Sequence, residues 1–140
     1  LEFRRLLFRS DEAIFLTEYG KVSKSSAEHI FIVRDGVLFT PPSTEDNLDG
    51  ITRRSLIALA TEDLGLPVVE RTIGRTELYV SDEMFLCGTG AEITPVGSVD
   101  RRKIGEGGVG PITARLQKHF ADVVRGRVPG RTSWLTPVWP

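Results

Sequence analysis

Several things are scarce in this sequence. Its 140 residues include one cysteine, Cys87, which excludes an internal disulfide and any multi-cysteine zinc site. The two histidines, His29 and His119, share no ligand-like spacing, so no metal site is expected. No apolar run approaches the roughly 20 residues that a membrane-spanning helix needs. An excess of one charge is missing too. Eighteen basic residues face 19 acidic ones, a formal net charge of −1, with none of the basic bias that nucleic-acid partners require. There is no internal repeat and no low-complexity segment.

What remains is the composition of one ordinary globular domain, 40% hydrophobic and 26% charged. A chain near 150 residues buries roughly 70% of its unfolded surface, enough for a real core. Residues 1–10 carry three arginines and no periodicity continuous with the segments after Ser10. They read as a non-native lead, with a targeting remnant as the other reading, and 11–140 as the domain. The natural protein is expected to begin earlier.

Ala13–Leu16 reads as a short buried strand, and Tyr19-Gly20-Lys21 as a turn. Val22–Glu28 is small and polar. Ile30–Val33 and Val37–Thr40 are strands joined by an Asp35-Gly36 hairpin turn. Gly50-Ile51-Thr52 opens a helix whose apolar face is Leu56, Ile57, Leu59, Ala60 and Leu64, with Gly65 as its C-terminal cap. Pro67–Arg71 is the next strand, and Arg75–Tyr79 one helical turn. Gly97–Gly110 is a surface loop with a strand near Lys103-Ile104. Pro111 starts a second long helix, faced by Ile112, Leu116, Phe120, Val123 and Val124 and ended by Gly126. Trp134 and Trp139 are read as packing or interface residues. Two helices among about seven strands make the fold class mixed α/β.

Two stretches offer bare main-chain amides to an anion. At Gly88-Thr89-Gly90-Ala91 a tight turn joins the apolar run Met84–Cys87 to the β-prone run Ile93–Val96. Small residues there leave N–H groups uncovered, and Thr89 adds a hydroxyl. At Gly50-Ile51-Thr52 the first turn of a helix does the same, with the Thr52 hydroxyl beside it. Asp49 is expected to cap that helix itself. Cys87 reads as a small core residue, Lys103 and Lys118 as solvated, and Glu92 as either an orienter of a backbone amide or a structural residue.

Taken in order, Gly20–Phe31, Asp35–Pro42, Leu48–Arg53, Glu77–Phe85, Gly88–Val96 and Gly107–Thr113 resemble the C-terminal part of branched-chain amino acid aminotransferases. These are fold-type IV pyridoxal phosphate enzymes, and the resemblance covers residues 11–140. It implies the large C-terminal domain of that fold and pyridoxal 5'-phosphate as cofactor. The implied substrates are small amino acids and 2-oxo acids: the amino group of Leu, Ile or Val passes to 2-oxoglutarate. A cytoplasmic homo-oligomer acting in branched-chain amino acid biosynthesis is implied too. Carried over by position, Gly50, Ile51 and Thr52 would hold the cofactor phosphate, with Gly88 and Thr89 as a second group of cofactor contacts. The amides of Gly90 and Ala91 would meet the substrate carboxylate or lie beside the cofactor.

The resemblance also exposes departures. Lys24 stands where the family has a glutamate that pairs with the protonated pyridine nitrogen, and a lysine has the wrong sign for that. His29 replaces a usual asparagine, and Ser25 and Ala27 stand where glycines are common. The chain's lysines are Lys21, Lys24, Lys103 and Lys118, and none matches the cofactor-bearing lysine. That catalytic residue, like the small N-terminal domain, is expected upstream, which leaves this piece by itself inactive. The alternatives are another fold-type IV enzyme, a D-amino acid aminotransferase or an aminodeoxychorismate lyase, and a non-catalytic, decayed domain.

Overall fold

Strict alternation in the two most apolar segments sets the architecture. Along Ile30-Phe31-Ile32-Val33 and Met84-Phe85-Leu86-Cys87, successive side chains leave the backbone on opposite sides. In the computed structural model, which describes residues 11–139, these segments lie in β3 (His29–Arg34) and β6 (Glu83–Gly88). They pair antiparallel, with Ile30 opposite Leu86, Phe31 opposite Phe85 and Ile32 opposite Met84. Apolar residues on both sides require a sheet covered on both faces. Two separate cores result. Ile30, Ile32, Met84 and Leu86 join one; Phe31, Val33, Phe85 and Cys87 join the other.

The main sheet has five strands in the order β5-β4-β3-β6-β7, where β4 is Val37–Thr40, β5 Val68–Glu70 and β7 Glu92–Pro95. Asp35 and Gly36, at φ 49° and 77°, make the β3–β4 hairpin turn as their composition requires. β4 and β5 run parallel, so a crossover must join them. That crossover is α1 (Ile51–Ala58) and a π-helical turn over Leu59–Asp63. Its Leu56 and Ala60 enter the second core beside Phe85 and Cys87. Gly65, at φ 64°, ends it.

The second face is also covered by α3 (Pro111–Val124), through Leu116. The first is covered by β2 (Val22–Ser25), by the short helix α2 (Arg75–Tyr79), and by a hairpin of β8 (Ser98–Val99) and β9 (Arg102–Lys103). Val22, Leu78, Val99 and Ile104 are their core contributions.

Four expectations need correction. Ile14–Leu16 is a strand, β1, but not a buried one: Phe15 and Leu16 are exposed, because β1 pairs only with β2, in a separate ribbon outside the main sheet. Val22–Ser25, small and polar in sequence, is a buried strand, since Ser23 and Ser25 satisfy their hydroxyls on the Asp46 carbonyl and the Glu28 carboxylate. Nine strands and three α-helices are present among the described residues. Val124 lies on the exposed side of the last turn of α3. Of the two tryptophans read as packing or interface residues, Trp134 packs under the Arg131 guanidinium, 4.4 Å from its ring, and Trp139 is exposed. The non-native lead, residues 1–10, falls outside the described residues.

Candidate functional site

The segment joining β2 to β3, Ser26–Glu28, is the hub around which the sequence-predicted residues gather. His29 is paired with Cys87 across the β3–β6 ladder, so the turn after Gly88 starts beside it. Gly88 itself lies against Ala27 and Glu28: a Cβ there would sit 3.4 Å from the Glu28 side chain and 3.5 Å from the Ala27 carbonyl. Gly50 lies against the next residue, His29. A Cβ on it would fall 2.2 Å from Nε2 of His29. Lys24, half-buried on β2, is close enough for its charge to act on His29. The fold therefore brings Gly50 and Gly88 to adjoining residues at the start of β3, with Lys24 within electrostatic range of His29. Ile51 and Thr52 come next at the head of α1; Thr89, Gly90 and Ala91 come next at the end of β6.

The start of α1 is chemically open. Gly50 is its N-cap in extended conformation and contributes no side-chain cap, so the first-turn amides keep their donors. Asp49 does not cap, contrary to expectation. Its carboxylate turns instead to Arg53, 3.8 Å away, and Arg54, 3.6 Å away, whose charges outcompete neutral amides. Neither the Thr52 nor the Thr89 hydroxyl has a protein partner among the described residues. The turn residues Thr89 and Gly90 are exposed, and Ala91 half-buried.

The other long helix provides the contrast. The first turn of α3 is already occupied by a carboxylate from within the chain. Glu83 accepts from the amides of Ile112 and Thr113 at 3.0 and 2.7 Å, and from the Thr113 hydroxyl at 2.7 Å. Gly110 is needed there because a Cβ would strike that carboxylate at 2.0 Å. One helix start thus carries its own anion, and the other carries none.

Charge around α1 is held by Arg53, which is 2% exposed. It donates to the Pro41 carbonyl at 3.0 Å and to the Glu70 carboxylate on β5, while its Nε has no partner. Burial holds the His29 imidazole below the usual histidine range, assisted by Arg53 and Lys24 and opposed by Asp49. Burial pushes the Cys87 thiol up to about 12, so it stays protonated and unreactive. Sequence reasoning missed both Glu83 and Arg53, because what marks them lies in strands and helices distant in the chain. Two open depressions flank α1, one lined by Ile51, Ser55 and Trp134, the other by Asp49, Arg53 and Glu70. Neither reaches the Gly88–Ala91 turn.

Residues present at this hub fit one end of pyridoxal phosphate and not the other. Free amides, two hydroxyls and an uncapped helix start suit a phosphate dianion. Lys24 brings a donor to the position where the resemblance implies an acceptor for a protonated ring nitrogen.

Residues 8–99 match the family described as amino-transferase class IV. The chain is 49% identical over 129 residues to a probable branched-chain-amino-acid aminotransferase of Aquifex aeolicus, covering 92% of this chain and 42% of that protein. The branched-chain amino acid aminotransferase of Thermobaculum terrenum in its pyridoxal phosphate form superposes with a TM-score of 0.94 at 45% identity, over 99% of this chain and 45% of that one. The corresponding enzyme of Thermoproteus uzoniensis, solved with norvaline, gives 0.90 at 46% identity, over 95% and 43%. The chain thus spans less than half the length of these relatives.

Proposed function

Because this chain belongs to the amino-transferase class IV family, we propose that it is the phosphate-holding part of a branched-chain amino acid transaminase. The complete protein would move the amino group of leucine, isoleucine or valine to 2-oxoglutarate. When bound, pyridoxal 5'-phosphate supplies the electron sink that labilises the hydrogen on the amino acid's α-carbon.

In this reading the amides of Ile51 and Thr52, with the Thr52 hydroxyl, donate to the phosphate at the start of α1. Thr89 donates to the same phosphate from the end of β6. The amides of Gly90 and Ala91 take the carboxylate of the substrate, which fixes the α-carbon relative to the ring. Arg53 acts from behind: its bonds to Pro41 and Glu70 hold α1 against the sheet. The observation that carries the proposal is the uncapped start of α1, brought by His29 to the neighbourhood of a second set of free donors.

Titration of the chain with inorganic phosphate, monitored by its phosphorus NMR resonance, tests this reading. Thr52→Val and Thr89→Val each remove one hydroxyl donor and should weaken binding at least about tenfold, since a hydrogen bond to a charged group contributes about 1.5–3 kcal/mol. Thermal unfolding of both variants should stay close to that of the parent. Unchanged affinity in both would remove the basis for the assignment.

A further inference from the structure

His29 belongs to neither set of donors, yet it touches the elements that carry both. Its backbone is paired with Cys87, the residue before Gly88, and its imidazole occupies the space next to Gly50. A side chain at residue 50 would meet Nε2, Cδ2 and Cε1 of that ring at 2.2, 2.8 and 3.3 Å. The imidazole thus lies directly against the residue that caps α1. No hydrogen bond of the His29 side chain occurs among the described residues, so the contact is one of shape. Glycine at residue 50 matches this: at the N-cap, where Ser, Thr, Asp or Asn would normally be favoured, any side chain would have to displace the imidazole.

We infer that His29 is the positioning residue of the phosphate site, a spacer that sets the head of α1 at its distance from the Gly88–Ala91 turn. The inference rests on the phosphate reading above and adds to it a residue that donates nothing to the ligand. A shorter side chain at residue 29 lets the head of α1 drift inward, and an oversized residue 50 pushes it outward. In either case the two groups of donors no longer converge on one anion. An anion clamped between fixed dipoles loses affinity steeply when one group moves, because the field is preorganised rather than adaptive.

The test is a double-mutant cycle on the full chain, with inorganic phosphate as the probe. His29→Ala and Gly50→Ala should each raise the phosphate Kd about tenfold, measured well below the unfolding midpoint of each variant. In the double variant the methyl group of residue 50 enters space the imidazole has left. Its Kd should stay within about threefold of the single variants instead of reaching a hundredfold above the parent. Should His29→Ala fail to fold, His29→Thr, short and suited to a strand, supplies the same comparison and should raise Kd in the same direction. Parental affinity in a folded His29 variant, or strictly multiplicative losses in the double variant, would overturn the spacer role while leaving the phosphate site standing. No phosphate binding by the parent chain would overturn both, and Thr52→Val separates the cases because it acts on the ligand without touching His29.

Discussion

Individual side chains at the hub divide into those that offer something to a ligand and those that hold the offer in place. Thr52 and Thr89 belong to the first group, Arg53 and His29 to the second. His29 also makes the hub sensitive to pH. Its folded-state pKa is held below the ordinary value of 6.5, so the unfolded chain binds the proton more readily than the native one. A group depressed in this way contributes stability that is present above its unfolded pKa and is lost as pH falls toward the folded one. Urea unfolding of the parent should therefore weaken as pH drops below about 6.5. His29→Gln should flatten that part of the profile and leave the carboxylate-dependent decline at lower pH intact. An identical profile in the variant would mean that the imidazole titrates alike in both states. Lys24 is the residue that chemistry at this site does not explain: its charge reaches His29, and it has no acceptor to offer a protonated ring nitrogen.

Among the elements, the two long helices show how the same terminus can serve opposite ends. The start of α3 is closed by Glu83, a carboxylate 7% exposed whose two oxygens accept from two amides and a hydroxyl. Glu83→Ala strands those donors and should cost about 2–3 kcal/mol in urea unfolding, with α3 loosening first in hydrogen exchange. The loss should be larger than for Glu83→Gln, whose amide oxygen can still accept. The elements themselves are legible in the sequence to an uneven degree. β3, β4 and β6 declare themselves by continuous apolar residues, and the Asp35-Gly36 turn by its need for positive φ. Pro111 and Gly126 bracket α3 correctly. β2 is hidden because its small polar residues give no apolar signal, and the burial of Ser23 depends on the carbonyl of Asp46, far along the chain. β1 misleads on burial because apolarity says nothing about which sheet a strand joins. Of the hub, the two amide clusters are visible as glycine beside threonine. The role of Asp49 is open to the sequence as well, because Arg53 follows it at the i,i+4 spacing of a helical ion pair, a signal that competes with capping.

At the scale of the molecule, one sheet separates two cores, and α1 and α3 sit together over the second. Phe31 and Phe85 stack at 5.0 Å with their planes 8° apart in the middle of it. Phe85→Ala should remove about 3–5 kcal/mol, through the lost side chain and the cavity left behind. The loss should appear as a lower urea midpoint with a single transition, because the cores share the strands between them. A two-step transition would show that the faces unfold independently. Cys87 lies close to Phe85 in β6, with no exposed surface and a protonated thiol. Its alkylation by iodoacetamide must wait for the strand to part from its neighbours, so each labelling event marks one opening of the sheet. The rate then becomes a clock inside the protein, one residue from the glycine that starts the turn, and an anion seated at that turn should slow it.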